Sequence, residues 1–144
     1  MTLDDIHEQW AKDSKIDRDE LAEESMNTPQ IHSKYLKMYS HERLRLKNID
    51  FEFKQLIKLK TEYYSGSIAD EDLMERGWEP NPLKILKSDV QMYLDADSDV
   101  IKLLQKRAMQ QEKVDTIDSI IKTINVRGFQ IKNAIDWIRF TNGA

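Results

Sequence analysis

Tyr35, Tyr39, Leu46, Ile49, Phe53, Leu56 and Tyr63 fall on an alternating three- and four-residue spacing, interrupted at Glu42 and Lys60. That spacing predicts a coiled-coil-like seam with two polar members. Thr28-Pro29 reads as N-cap and first helical position, and nothing breaks the pattern until Gly66. A helix over 29–65 would be about 50 Å long, which an ordinary globular helix does not need, so a partner helix or subunit is implied. Ahead of it, Thr2 with Asp5 caps a short helix over 3–13, with Ile6 and Trp10 on one side, and Asp17 with Glu20 opens another over 18–26. Residues 66–98 hold Gly66, Gly77, Pro80 and Pro82 and read as an irregular connector, with one short helix near 84–92. A second long helix is expected over 99–125, where Val100, Leu103, Leu104, Val114, Ile117, Ile121 and Ile124 keep helical spacing. Gly128 should break it, and a last helix should cover 129–141. The fold class is all-α, with an N-terminal region over 1–98 and a C-terminal helical region over 99–144.

Composition supports long helices, since 144 residues contain only 4 Gly and 3 Pro. Apolar residues make up 40% and charged residues 33%, more charge than an ordinary domain carries. So modest a core gains from packing between subunits. The lack of cysteine excludes disulfides and thiolate metal sites. No apolar run approaches the ~18 residues of a membrane span, and the start "MTLDDIHEQW" is acidic where a signal peptide would be basic. A soluble, intracellular protein without membrane contact is expected.

The net charge of −4 conceals segregation. Residues 1–27 hold 3 Lys/Arg against 9 Asp/Glu, whereas residues 34–60 hold 8 against 3. An acidic head before a basic rod suggests a polyanion site on the rod. Arg43, Lys47, Lys54 and Lys58 lie within about 60° of one another on a helix, with Asp50 interrupting the stripe. The alternative is a solvated face whose charges are answered by the acidic head.

Chemistry beyond charge is sparse. "LDADSDV" places Asp95, Asp97 and Asp99 at calcium-loop spacing, but Val100 stands where the turn glycine is needed and Lys106 where the bidentate glutamate should be. Capping of the next helix by Asp97 or Ser98 explains the cluster better. His7, His32 and His41 have no second ligand at metal spacing. There is no glycine-rich phosphate loop and no nuclease-like or glycosidase-like carboxylate setting. The sequence argues against an enzyme, a cofactor or a metal. In "LIKLKTEYYSGS", Lys58 and Lys60 offer phosphate contacts, while Tyr63 and Tyr64 offer ring faces for unpaired bases. Equally, Tyr63 can end the seam, Tyr64 cap a core, and Lys60 snorkel outward. Near the C-terminus Ile131, Ala134, Ile135 and Ile138 form one apolar face, with Trp137 and Phe140 roughly opposite. Apolar groups on two sides suggest burial between subunits, with packing inside one monomer as the alternative.

Three stretches occur in an order that resembles the UvsY-type recombination mediators of T4-like phages. They are basic-x-basic followed by "EYYSG" (Lys58–Gly66), "YLDADSDVIK" (Tyr93–Lys102) and "RGFQIKNAIDW" (Arg127–Trp137). The resemblance covers nearly the whole chain, although the first 30 residues match only in pattern. It implies a non-enzymatic factor that binds single-stranded DNA and closes into a small ring, a heptamer or hexamer. Such a factor helps a phage recombinase load onto DNA coated by the phage single-strand binding protein, in the cytoplasm of the infected bacterial host. By the same resemblance 1–98 is the DNA-binding region, with Lys58 and Lys60 at the basic-x-basic positions. Lys60 stands where relatives can carry Arg, so a planar, stacking guanidinium is lost while phosphate contact survives. The region 99–144 is then the oligomerisation region, through Phe129, Ile131, Ile135, Trp137, Ile138 and Phe140. A coiled-coil adaptor without DNA binding is the alternative of another class.

Overall fold

Helix starts and stops are set by a few polar side chains, and the computed structural model, which describes residues 1–81 and 85–143, shows which ones succeed. The described residues form six helices and no strand: α1 (Leu3–Asp13), α2 (Leu21–Ser65), α3 (Asp70–Arg76), α4 (Val90–Ala96), α5 (Ser98–Asn125) and α6 (Arg127–Thr141). None of them is long and apolar enough to cross a membrane. α1 opens on the expected reciprocal cap. The Asp5 N–H donates to Thr2 Oγ1 at 3.1 Å and the Thr2 N–H donates to Asp5 Oδ2 at 2.8 Å. α5 likewise opens where Asp97 caps it.

Two expected breaks are absent or displaced. The stretches over 18–26 and 29–65 are one helix, with Pro29 inside it. Proline removes a backbone donor and crowds the preceding turn, and side chains hold that turn at Glu24. Thr28 Oγ1 donates to the Glu24 carbonyl at 3.3 Å, and Arg127 Nη2 donates to the same carbonyl at 3.4 Å and to Glu24 Oε2 at 2.7 Å. The turn just before Pro29 is thus braced by a buried guanidinium brought from the far end of the chain. The second correction concerns Gly128, which sits inside the first turn of α6. The interruption falls at Val126 (φ −99°, ψ −2°), and Gly128 has no positive φ to make glycine necessary.

The connector is less irregular than its glycines and prolines suggest. It holds α3, which composition did not reveal, and α4, which begins at Val90 rather than near 84. Pro82 and the expected helix start at 84 lie outside the described residues.

The chain packs as two compact units, Met1–Leu44 with Gln110–Ala144 and Arg45–Met109. Packing therefore groups the chain differently from regions 1–98 and 99–144. In the first unit Ile6, Ile31, Tyr35, Met38, Ile117, Ile120 and Ile124 form the core, with Trp10, Tyr39 and Ile121 at its margin. Full burial of such a side chain is worth roughly 1.5–3 kcal/mol. Tyr35 is completely buried, so its hydroxyl needs a partner, and it donates to Asp13 Oδ2 at 2.8 Å. Lys34 Nζ reaches the same oxygen at 2.7 Å, and Trp10 packs edge-on against the Tyr35 ring. The polar seam residue Glu42 is buried, and Gln110 Nε2 donates to its carboxylate at 2.6 Å and its carbonyl at 2.8 Å. Ile131 of α6 is also buried within this unit. In the second unit Leu46, Ile49, Leu56, Val90, Leu94 and Val100 are buried.

Replacing Arg127 by Ala should leave the Glu24 carboxylate without its close cation. Such an unmatched group costs roughly 1–3 kcal/mol, and a urea titration followed by helical circular dichroism should show that loss with little change in slope.

Candidate nucleic-acid interface

α2 stops at Gly66, which takes a left-handed conformation (φ 79°) open to glycine at little cost. The N–H groups of Ser67 and Ile68 then donate back to the Glu62 carbonyl at 2.9 and 3.1 Å. This stop brings the last turn of α2, with Lys60, Tyr63 and Tyr64, against the start of α5 and the segment after α3, all within the second unit.

Lys60 was expected among the lysines that meet phosphate. It is instead only 5% exposed. Its ammonium lies 3.1 Å from Asp97 Oδ2, 2.9 Å from Asp99 Oδ2 and 3.9 Å from the centroid of the Trp78 ring. Two carboxylates and one aromatic face engage a group that has three donors. The correction follows from position: Lys60 occupies a seam site, and a charge carried into a seam must be paired there. Asp97 is the hub of the arrangement. Its Oδ1 accepts the N–H groups of Asp99 at 2.9 Å and Val100 at 3.0 Å, capping α5, while Oδ2 accepts from Tyr64 Oη. Burial works against a charged Asp97, but the bonds from Tyr64, Val100 and Lys60 prevail and hold its carboxyl below the usual range. Burial and then the bond to Asp97 push the Tyr64 phenol above its ordinary value.

Tyr63 and Tyr64 are half-buried rather than presented as free platforms. Tyr63 Oη donates to the Glu79 carbonyl at 2.6 Å, and its ring packs edge-on at 5.2 Å from Tyr64 and 5.5 Å from Trp78. The Tyr64 ring lies 5.6 Å from that of Tyr93. The four rings form a connected set around the Lys60 ion cluster.

The other cations of α2 behave differently. Lys47, Lys54 and Lys58 are all exposed, Lys58 with 76% of its side chain in solvent and only a 3.8 Å approach to Glu62. Phe51 lies on the same face, 60% exposed, with Lys54 Nζ 6.0 Å from its ring centroid. Asp50, which interrupts the stripe in the sequence, is engaged by Arg107, and that bond holds its carboxyl below the usual range. Arg43 belongs to the first unit, where it is exposed with its guanidinium 5.9 Å from the Tyr39 ring. On α6 the expected oligomerisation residues divide by burial. Ile131 is core, Ile135 is half-buried, and Phe129, Trp137, Ile138 and Phe140 are exposed, with the Trp137 and Phe140 rings 5.9 Å apart. Ile131 thus packs inside its own subunit, because its helix face turns toward the first unit's interior.

Residues 9–144 match the family described as "Recombination, repair and ssDNA binding protein UvsY". The chain belongs to the UvsY family. It is 31% identical over 144 residues to the recombination protein uvsY of Enterobacteria phage T4, covering 99% of each chain. The all-helical fold is also that of the bacteriophage T4 recombination mediator protein UvsY. One crystal form (lattice type II) superposes with a TM-score of 0.84 at 30% identity over 99% of this chain and 98% of that one. Another (lattice type I) gives 0.82 at 28% identity, over 95% and 98%. In this UvsY fold, sequence alone missed Phe51, Trp78, Tyr93 and the pairing of Asp97 and Asp99 with Lys60. A signal was present for the last. A lysine at a seam position needs a counter-charge, and the Asp95–Asp99 cluster had carboxylates left over once calcium was set aside.

The pairing makes Lys60 and Lys58 separable. Lys60→Ala should cost about 3 kcal/mol, as expected when one partner of a buried pair is removed, whereas Lys58→Ala should stay within about 0.5 kcal/mol. Urea midpoints of both variants check this.

The pH dependence has a definite sign. A carboxylate with a lowered folded pKa stabilises the fold above its unfolded value of about 3.9 and loses that contribution as pH falls through the folded value. The Tyr64 phenol, raised in the fold, keeps its contribution below about pH 10 and loses it in alkali. Urea midpoints should be flat between neutrality and pH 5 and fall below pH 4, and Asp97→Asn should lower the neutral plateau and shrink the acid-side fall.

Proposed function

We propose that this chain binds single-stranded DNA through the exposed Lys47, Phe51, Lys54 and Lys58 face of α2 and acts without catalysis as a recombination mediator. The observation that carries this is an exposed aromatic ring set among exposed lysines on a helix of a family described as binding single-stranded DNA. Lysines neutralise phosphates, and an exposed ring stacks any unpaired base, which suits binding without sequence preference. Lys60, Tyr63 and Tyr64 serve this face by fixing the end of the helix that bears it. The exposed α6 residues Phe129, Trp137 and Phe140 pack between copies of the chain, closing a ring of six or seven. A ring repeats a weak site, so affinity comes from avidity while each site releases easily. Easy release suits a factor that holds DNA coated by a phage single-strand binding protein and yields it to a phage recombinase, the role carried by the T4 relative's designation as a recombination mediator. Its place of action is the cytoplasm of the infected host.

Anisotropy of a labelled oligo-dT at low and moderate salt tests the DNA reading. Binding should weaken with salt, and the Lys47→Ala, Lys54→Ala, Lys58→Ala triple variant should flatten the log–log salt dependence by about 2, as expected for three phosphate contacts at roughly 0.7 each. No binding at either salt would leave the coiled-coil adaptor. The Phe129→Ser, Trp137→Ser, Phe140→Ser variant, which spares buried Ile131, should sediment as smaller species and bind the oligonucleotide more weakly. Retention of the parent mass would remove α6 from assembly.

A further inference from the structure

A second feature of the Arg45–Met109 unit is not used by that face. Between α2 and α5, closed at one side by the end of α3, lies a groove of about 500 Å³. Its apolar wall is made by Leu56 and Leu103, with the Trp78 ring beside them. Its charges do not cancel. The carboxylate of Asp99 shares the Lys60 ammonium with Asp97, at 2.9 and 3.1 Å, and that of Glu52 faces Lys106 at 3.7 Å, so each acid of the groove has a cation beside it while the Lys60 cluster keeps one negative charge in excess. Arg76 and Lys102 also line it, and among the described residues neither has an ion-pair partner. A concave site of this volume suits one small-ligand unit. Two cations without ion-pair partners, set against one excess carboxylate charge, leave the groove net positive and suited to an anion, and an indole beside aliphatic side chains asks for a flat ring. Gln55, also in the wall, supplies an amide that can donate and accept.

We propose that this groove seats one nucleotide of the bound single strand, with its base against Trp78 and its flanking phosphates on Arg76 and Lys102. A nucleotide is the ligand that joins an anionic link to a flat, partly apolar ring, whereas an acidic peptide would leave the indole and leucine wall without a complement. The groove is also within reach of the lysine face. Gln55 stands about 60° round α2 from Lys58 and one turn back, so a strand lying along the lysines meets the groove mouth without leaving the helix. The proposal rests on the single-strand reading and adds to it a fixed seat, where the open face offers only a track. Its Trp78 packs against the same ammonium that Asp97 and Asp99 share, so the ion cluster organises the seat from one wall of the groove, where Asp99 lines it.

The full chain decides it by two independent readouts. Oligo-dT carrying iodouracil should cross-link on irradiation to Trp78, located by peptide mass spectrometry, and Trp78→Phe, which keeps an aromatic ring at that place, should lower the yield several-fold. Arg76→Ala with Lys102→Ala should weaken oligo-dT binding about 5- to 10-fold at moderate salt and flatten the salt dependence by about 1.4, the share of two phosphates, while leaving the urea midpoint unchanged. Cross-links confined to Phe51 or the tyrosines, with affinity and salt dependence unaltered in the double variant, overturn the seat while the Lys47–Lys58 triple variant still reports DNA binding. If the unaltered protein binds no oligo-dT, the single-strand reading fails and the seat with it.

Discussion

An ammonium group cannot enter an apolar seam unless its counter-charges arrive with it, and the Arg45–Met109 unit is arranged around that requirement. Lys60 continues the spacing that puts Leu56 and Ile49 inside, so its burial is dictated by helix geometry. The answering carboxylates must then come from another part of the chain, and they come from the first turn of α5. Because Asp97 also caps α5 and accepts from Tyr64, one carboxylate fixes where α5 begins and ties the last turn of α2, with its rings, to that point. The pair is weak evidence for high stability, since desolvation offsets much of the attraction. Its value lies in register, because a slip of either helix would leave both charges unmatched.

Burial divides the lysines of α2 into two kinds with different physical roles. Lys60, inside, is held by carboxylates and cannot exchange them for phosphate without opening the fold. Lys47, Lys54 and Lys58, outside, keep their hydration, and such groups release counterions when they meet a polyanion. The same chain can therefore have a net negative charge and still present a cationic face. In the first unit the buried guanidinium of Arg127 plays a role comparable to that of Lys60, tying the start of α6 to Glu24 and Thr28 of α2.

Much of this fold was legible in the residues. The cap at Thr2 and Asp5, the start of α5 at Asp97, the stop at Gly66 and the seam with its two polar members all follow from local chemistry and spacing. Pro29 reads locally as a helix start, and the side chain that braces the turn before it, Arg127, is 98 positions away. Gly128 was misread as a breaker because glycine is permissive, and permission is not obligation. α3 was missed for the opposite reason: seven residues between two glycines leave no room for a periodic signal. At the candidate interface the exposed lysines were visible as a stripe, but which lysine would be buried depended on the seam being taken literally at Lys60. Phe51 gives no periodic signal of its own, because it lies off the seam that Phe53 continues and a lone exposed ring has no spacing to mark it.

The three tryptophans fall in three different environments. Trp10 packs edge-on against buried Tyr35, Trp78 lies under the Lys60 ammonium, and Trp137 stands in solvent on α6. Indole emission depends on local polarity and nearby charge, so the chain contains three optical probes that were not put there by design. One watches the isoleucine-rich interior, one the ion cluster, and one the outward aromatic surface. Keeping a single tryptophan at a time would let light distinguish loosening of a core, opening of a charge pair and covering of a surface within the same molecule.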